Sequence, residues 1–212
     1  MDWLTHAACM EPKEGAPYSY RIGLMAEQVK TLFGFIPDNL ALFSMLSMIS
    51  QAEAKKYFIE RMRVGRPDKT GIIWWNLLDG WPQMSDAVVD YYFTKKLAYS
   101  YIKRSQAPFV IAAGELSNWH LPIYACNDTL TEKSGRLTVK DAESGDVIHE
   151  CDFVAGANTS TLIARLPIYY SDEKVLVFEW TVGEEKGFNH YLCGTPPISL
   201  ERYRAIIKKY NL

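Results

Sequence analysis

Apolar positions along the chain follow two rhythms. From Tyr20 to Lys103 they recur mostly at helical spacing, and from Pro108 to about Cys193 they come in short β-rich runs separated by turn residues. The change falls at Ser105-Gln106-Ala107-Pro108 and predicts two domains, residues 1–106 and 107–212. In the first, residues 25–33 predict a helix stopped by Gly34. Pro37-Asp38-Asn39 opens a longer helix running to about Arg63, with Asp38 or Asn39 as its N-cap. Leu40, Phe43, Leu46 and Ile49 share one stripe of that helix, and Phe58 and Met62 restore the same face. Residues 71–78 are a continuous apolar run between turn signals, which predicts a strand over 72–76 covered on both faces, as in a parallel sheet. A further helix over 94–104 is expected to turn Leu97, Tyr101 and Ile102 inward.

The second half carries strand candidates at 109–113, 119–126, 136–141, 147–153, 159–166, 175–182 and 188–193. Seven short strands with frequent turns predict an immunoglobulin-like antiparallel β-sandwich. Ser144-Gly145-Asp146 suits a hairpin turn between two of them. Residues 199–210 predict a short amphipathic helix with Leu200, Tyr203, Ile206 and Ile207 on one side, and the fold class is α+β.

Composition narrows the function classes. Hydrophobic residues make up 48% of the 212, ample for real cores, and the formal net charge of −2 comes without a basic run that could neutralise a series of phosphates. Nucleic acid is not an expected partner. Neither is a membrane, because no apolar stretch reaches the roughly 18–20 residues needed to span one. Met1-Asp2-Trp3-Leu4 lacks the basic-then-apolar order of a leader. Cys9, Cys126, Cys151 and Cys193 are far apart and read as free thiols, with a disulfide among the last three as the alternative. His6, His120, His149 and His190 lack metal-ligand spacing, so no metal or cofactor is expected. Asn127-Asp128-Thr129 and Asn158-Thr159-Ser160 match the glycosylation acceptor pattern, which arises often by chance.

The densest chemistry lies in Trp74-Trp75-Asn76-Leu77-Leu78-Asp79-Gly80-Trp81-Pro82-Gln83. Three tryptophans, an amide and a carboxylate stand at the end of a presumed parallel strand and in its following loop, where parallel α/β folds place their sites. A sugar needs such a set: its C–H faces stack on aromatic rings while its hydroxyls meet Asn or Asp. Strand alternation sends Trp74 and Asn76 one way and Trp75 and Leu77 the other. Composition alone favours simple burial of the tryptophans between sheet and helices.

The order of residues shifts that balance. Residues 71–82, followed by Ser85-Asp86, Asp90-Tyr91-Tyr92 and Lys95-Lys96-Leu97-Ala98-Tyr99, resemble the last strand and helix of the catalytic barrel in family 2 glycoside hydrolases, particularly the β-mannosidase branch. Ser50-Gln51-Ala52-Glu53-Ala54-Lys55-Lys56 with Ile59-Glu60 resembles the helix before that strand. The likeness covers roughly residues 42–109, and the sandwich resembles the β-domain that commonly follows this barrel. The implied architecture is a helical remnant of a (β/α)8 barrel with its last strand, then the sandwich. The implied activity is that of a retaining exo-β-glycosidase in a longer parent, acting on carbohydrate, with Trp74, Trp75, Asn76, Asp79 and Trp81 lining the sugar site.

Retaining glycosidases need two carboxyl groups roughly 5–5.5 Å apart. In the family these follow the fourth and seventh barrel strands, and this chain is expected to begin after the seventh. No residue here matches either one. Glu11 has no strand before it, and Glu53 and Glu60 fall in a helix of the expected barrel exterior. Asp79 is either a site-shaping residue or one that holds its own loop. The chain alone is therefore expected to be inactive and to supply one wall of the site. A lone strand over 72–76 also predicts either self-association through the half-barrel face or repacking that buries Trp74 and Trp75. The rival reading makes the sandwich a non-catalytic carbohydrate-binding or protein-interaction module. Trp119 and Trp180 are then the stacking candidates, although strand positions favour core burial for both.

Overall fold

A computed structural model of the chain describes residues 20–210. Cys9, His6 and Glu11 lie outside the described residues. Helix α1 spans Tyr20–Phe33 and α2 spans Leu40–Val64, followed by α3 at Leu97–Ser105. Seven strands come next: β1 (Phe109–Ala113), β2 (His120–Asn127), β3 (Lys133–Asp141), β4 (Val147–Ala155), β5 (Thr159–Pro167), β6 (Val175–Val182) and β7 (Glu185–Leu192). Helix α4, Leu200–Tyr210, follows β7.

Helix ends obey local chemistry. Gly34 takes φ +83°, a left-handed value that suits glycine, and its N–H closes the last turn of α1 on the Lys30 carbonyl at 2.7 Å. Asn39, not Asp38, caps α2: its Oδ1 accepts the Leu42 N–H at 3.0 Å while its carbonyl accepts Phe43 N–H at 2.9 Å. The buried stripe of α2 begins as expected with Phe43, Leu46 and Ile49, with Leu40 left exposed. It then passes through Ala52, Lys56, Ile59, Glu60 and Arg63 rather than Phe58, which is exposed. The helical period holds, but the face changes from apolar to polar.

Contacts divide the described residues into two compact units. One comprises residues 20–56, Ile73–Ile102 and Pro196–Ser199, and the other Tyr57–Ile72, Lys103–Thr195 and residues 200–210. The expected strand over 72–76 does not form as a ladder member. Residues 71–77 form no strand and bend at Trp75 and Leu77, and of this run only Leu78 makes a bridge, parallel to Val89. A strand exists through its hydrogen-bonded neighbours, and the segments that approach this one reach only its end. Exposure still alternates as a strand's would: Ile73, Trp75 and Leu77 face outward, and Ile72, Trp74 and Asn76 are half-buried.

The second unit holds two antiparallel sheets, ordered β1-β2-β5 and β4-β3-β6-β7. Both contribute to one core, in which Ile111, Leu121 and Ile123 join Leu137, Val139, Leu176 and Phe178. Trp180 is buried in that core, but Trp119 precedes β2 and is exposed. The hairpin at 141–146 forms as expected, Gly145 adopting φ +83° and donating to the Asp141 carbonyl at 2.9 Å. Cys126, Cys151 and Cys193 are free thiols. Asn127 is fully buried, and its amide donates to the carbonyls of Thr131, Ala155 and Gly156, so this acceptor-like position holds a loop and offers no group for a glycan.

Candidate functional site

The loop after residues 71–77 is stitched to them by main-chain hydrogen bonds. Val88 and Val89 donate to the carbonyls of Asn76 and Leu77 at 3.2 and 2.9 Å, and Asp79 N–H returns to the Val89 carbonyl at 3.1 Å. Lys96 N–H then bonds the Val88 carbonyl at 2.9 Å, so residues 76–79, 88–90 and 94–96 lie side by side. Asp90 organises the turn between the last two with its carboxylate, accepting the N–H groups of Tyr92 and Thr94 at 2.9 and 2.8 Å.

Asp79 lies at the centre of this loop. Its carboxylate accepts from the Ser85 hydroxyl, from Gln83 Nε2 at 3.3 Å and from Lys96 Nζ at 3.2 Å. Every partner comes from the same loop or the residue just before the next helix, so the buried carboxylate is neutralised by a half-buried cation and fixes the loop's path. Of the two readings of Asp79, the contacts among the described residues are those of a residue that holds its loop.

Trp75 faces the other way. Its indole is 70% exposed and borders a groove of about 930 Å³ lined by Met25, Met48, Gln51, Lys55 and Asp86 among others. Lys55, which sequence patterning did not single out, fastens the segment. Its ammonium donates to the Trp75 carbonyl at 2.6 Å and lies 5.3 Å from the centre of the Trp74 ring. Burial pushes the Lys55 amine below its usual pKa, with the charge of Asp86 opposing. Gln51 donates to the Asp86 carbonyl at 2.7 Å, and Arg21 pairs with the Asp86 carboxylate at 3.6 Å, so the groove wall is braced by polar contacts. The only advance sign of Lys55 was its place in the helix that resembled the family pattern.

Of the five site residues expected from sequence, Trp75 is the one that lines this groove. Trp74 lies beneath Lys55, and Trp81 is partly exposed in the loop. Asn76 is half-buried, with its Oδ1 shielded and without a hydrogen-bond partner among the described residues. A shielded acceptor with no donor is uncommon in native structures. In the second unit, Trp180 is removed from consideration as a stacking residue by burial, while Trp119 remains available.

No family model matches the chain. Among curated proteins, a β-mannosidase B from Thermothelomyces thermophilus is 30% identical over 161 residues, covering 63% of this chain and 19% of the relative. The β-D-mannosidase of Dictyoglomus thermophilum superposes with a TM-score of 0.75 at 22% identity, over 85% of this chain and 23% of that one. An exo-chitosanase of Amycolatopsis orientalis, solved with a p-nitrophenyl β-D-glucosamine ligand, gives 0.64 at 17% identity over 90% of this chain and 24% of the other. This chain thus spans about a fifth of the length of its curated relative.

Proposed function

We propose, from the premise that this chain is the C-terminal region of a β-mannosidase-like family 2 glycoside hydrolase, that it supplies one wall of the site in which a retaining exo-β-glycosidase holds a terminal β-linked sugar. The observation that carries this reading is the exposed indole of Trp75 at the rim of a polar-braced groove, fastened through its own carbonyl by Lys55. An indole held in that way presents a flat apolar face to the C–H face of a pyranose. Trp74, Asn76, Asp79 and Trp81 are the further site residues in this reading, with Trp74 held beneath the Lys55 ammonium and Asp79 fixing the loop that carries Trp81.

In the proposed architecture, residues 1–106 are the end of a (β/α)8 barrel and residues 107–212 an immunoglobulin-like sandwich. The sheet orders support the second assignment. Strands β1, β2 and β5 form one sheet and β3, β6 and β7 the other, the arrangement of the immunoglobulin type, with β4 joined to β3 instead of β5. Retaining hydrolysis uses one carboxylate to attack the anomeric carbon and a second carboxyl group to protonate the departing oxygen. We assign both to barrel strands of the parent that precede this region. The chain's own part is to orient the sugar ring and exclude water from one side of it.

The test uses p-nitrophenyl β-mannoside and β-galactoside. The 212-residue chain should release no nitrophenol above background. A parent enzyme carrying the preceding barrel should hydrolyse one of them, and Trp75→Ala there should raise KM about tenfold, the equivalent of one lost stacking contact of about 1.4 kcal/mol. Turnover by the chain alone, or a parent indifferent to Trp75→Ala, would sink the reading.

A further inference from the structure

The second unit exposes an aromatic cluster that the groove does not explain. Trp119, Tyr169 and Tyr170 are 56%, 62% and 54% exposed, with the Trp119 ring centre 6.0 Å from that of Tyr169 and 5.3 Å from that of Tyr170. Their surroundings are fixed. Ser117 and His120 exchange main-chain hydrogen bonds at 3.0 Å, the Trp119 carbonyl accepts Ile168 N–H at 3.0 Å, and the Tyr170 hydroxyl donates to the Leu116 carbonyl at 3.3 Å. Asp172 closes the turn below by accepting Tyr169 N–H at 3.0 Å, and its main-chain N–H returns to the Tyr169 carbonyl at 3.0 Å. Trp119 itself adopts φ +63°, a conformation uncommon for a bulky side chain, and the result is an indole turned to solvent.

We propose that Trp119, Tyr169 and Tyr170 form a binding platform for the pyranose rings of a neutral β-linked oligosaccharide. It rests on the glycosidase reading above only for the choice of ligand class. Three arguments favour a sugar over a protein. The exposed parts of three such rings amount to roughly 300–400 Å², about half of the ~800 Å² per partner that a stable protein interface takes. The rings also carry free polar edges, since Trp119 Nε1 and the Tyr169 hydroxyl make no hydrogen bond to the described residues and are placed to meet sugar hydroxyls. Finally, the Asp172 carboxylate under Tyr169 is occupied by Tyr169 N–H and paired with Lys174 at 3.9 Å, so it leaves no unpaired charge there. Because main-chain hydrogen bonds already fix the rings' backbone, little ordering accompanies binding.

The experiment titrates the 212-residue chain with β-1,4-linked mannohexaose and cellohexaose, with α-linked maltohexaose as control, by calorimetry and tryptophan fluorescence. At least one β-linked hexaose is expected to bind. Trp119→Ala should weaken binding about tenfold or more, equivalent to about 1.4 kcal/mol. Tyr169→Ala should weaken it less, Trp119→Phe should retain most of it, and Leu130→Ala, at an exposed position beyond the far end of β2, should leave it unchanged. Melting curves of the variants report folding, and Tyr169→Ala carries the test if Trp119→Ala fails to fold. No binding by the native chain overturns the proposal. So does binding indifferent to both Trp119→Ala and Tyr169→Ala, or binding lost with Trp75→Ala alone. A dimer abolished by Trp119→Ala would make the patch a protein contact and overturn it as well. Since Trp75 alone carries the groove test in the parent enzyme, failure of one proposal leaves the other standing.

Discussion

The ammonium of Lys96 lies 3.2 Å from Oδ2 of Asp79, a carboxylate whose side chain is only 1% exposed. Each charge is sheltered by the loop that the pair holds closed, so removing one strands the other in a poorly solvated place. Lys96→Met should destabilise the chain by about 3–5 kcal/mol. The double variant Asp79→Asn with Lys96→Met should recover at least half of that loss, because no buried charge remains. Urea unfolding followed by tryptophan fluorescence measures both. Equal stability of the single and double variants would show that the pair is not coupled.

Arg63 plays a different role in the second unit, where one guanidinium gathers main-chain carbonyls from three places along the chain. It donates to Ser105 and Ala107 at 2.6 and 2.7 Å and to Cys126 at 3.3 Å, and it pairs with Asp128 at 3.1 Å. A lysine ammonium lacks the planar fork needed to reach these oxygens together. Arg63→Lys should therefore cost nearly as much as Arg63→Ala, about 3 kcal/mol or more in each case. Rescue by lysine in thermal unfolding would mean that charge alone matters there.

The same residue shows why part of the fold was legible in sequence and part was not. Caps and turn glycines act locally, so Gly34 and Gly145 could be read directly and the cap of α2 narrowed to Asp38 or Asn39. The alternation of exposure at 73, 75 and 77 likewise survives, although no strand forms there. The lower half of α2 misled because it buries Glu60 and Arg63. Glu60 accepts from Ser105 at 3.1 Å and Asn189 at 2.9 Å, partners 45 and 129 residues away that no local window contains. An apolar period then points to Phe58, one position off the true face. Lys55 was illegible for a related reason, since its meaning lies in the carbonyl of Trp75, 20 residues on. Trp119 and Trp180 looked alike in sequence, and a left-handed turn placed one outside the strand and on the surface.

Buried thiols give the second unit an alkaline limit. Burial pushes the thiol of Cys126 from 9.0 up to about 11 and that of Cys193 up to about 12. An acid whose folded pKa is raised contributes its stability fully below the unfolded value and loses it as pH climbs toward the folded one. Each thiol should thus reduce stability by about 1.4 kcal/mol per pH unit above about 9. Cys126→Ala with Cys193→Ala should flatten that decline relative to the native chain. In a Cys9→Ser background at pH 8, a thiol reagent should label the half-buried Cys151 first, and Cys126 and Cys193 only after unfolding. Rapid native labelling of all three would contradict the burial argument.

Ile73 is 98% exposed, and Trp75 and Leu77 of the same segment are exposed as well. Main-chain hydrogen bonds reach this segment only from Asn76 onward, so among the described residues Ile72, Ile73 and Trp74 offer unpaired N–H and C=O groups. An apolar row with open backbone groups is the combination that draws another strand, and here no charged side chain interrupts it from 71 to 78. The isolated chain should therefore self-associate along residues 72–77, giving a concentration-dependent rise in sedimentation coefficient at tens of micromolar. Replacing Ile73 and Leu77 together by lysine places charge at these exposed positions without touching the half-buried Trp74 and Asn76. That variant should sediment as a monomer and melt at the native temperature of the monomeric chain. Retained association in it would move the contact elsewhere, and a native chain monomeric at every concentration would show that this edge is protected by the rest of the protein.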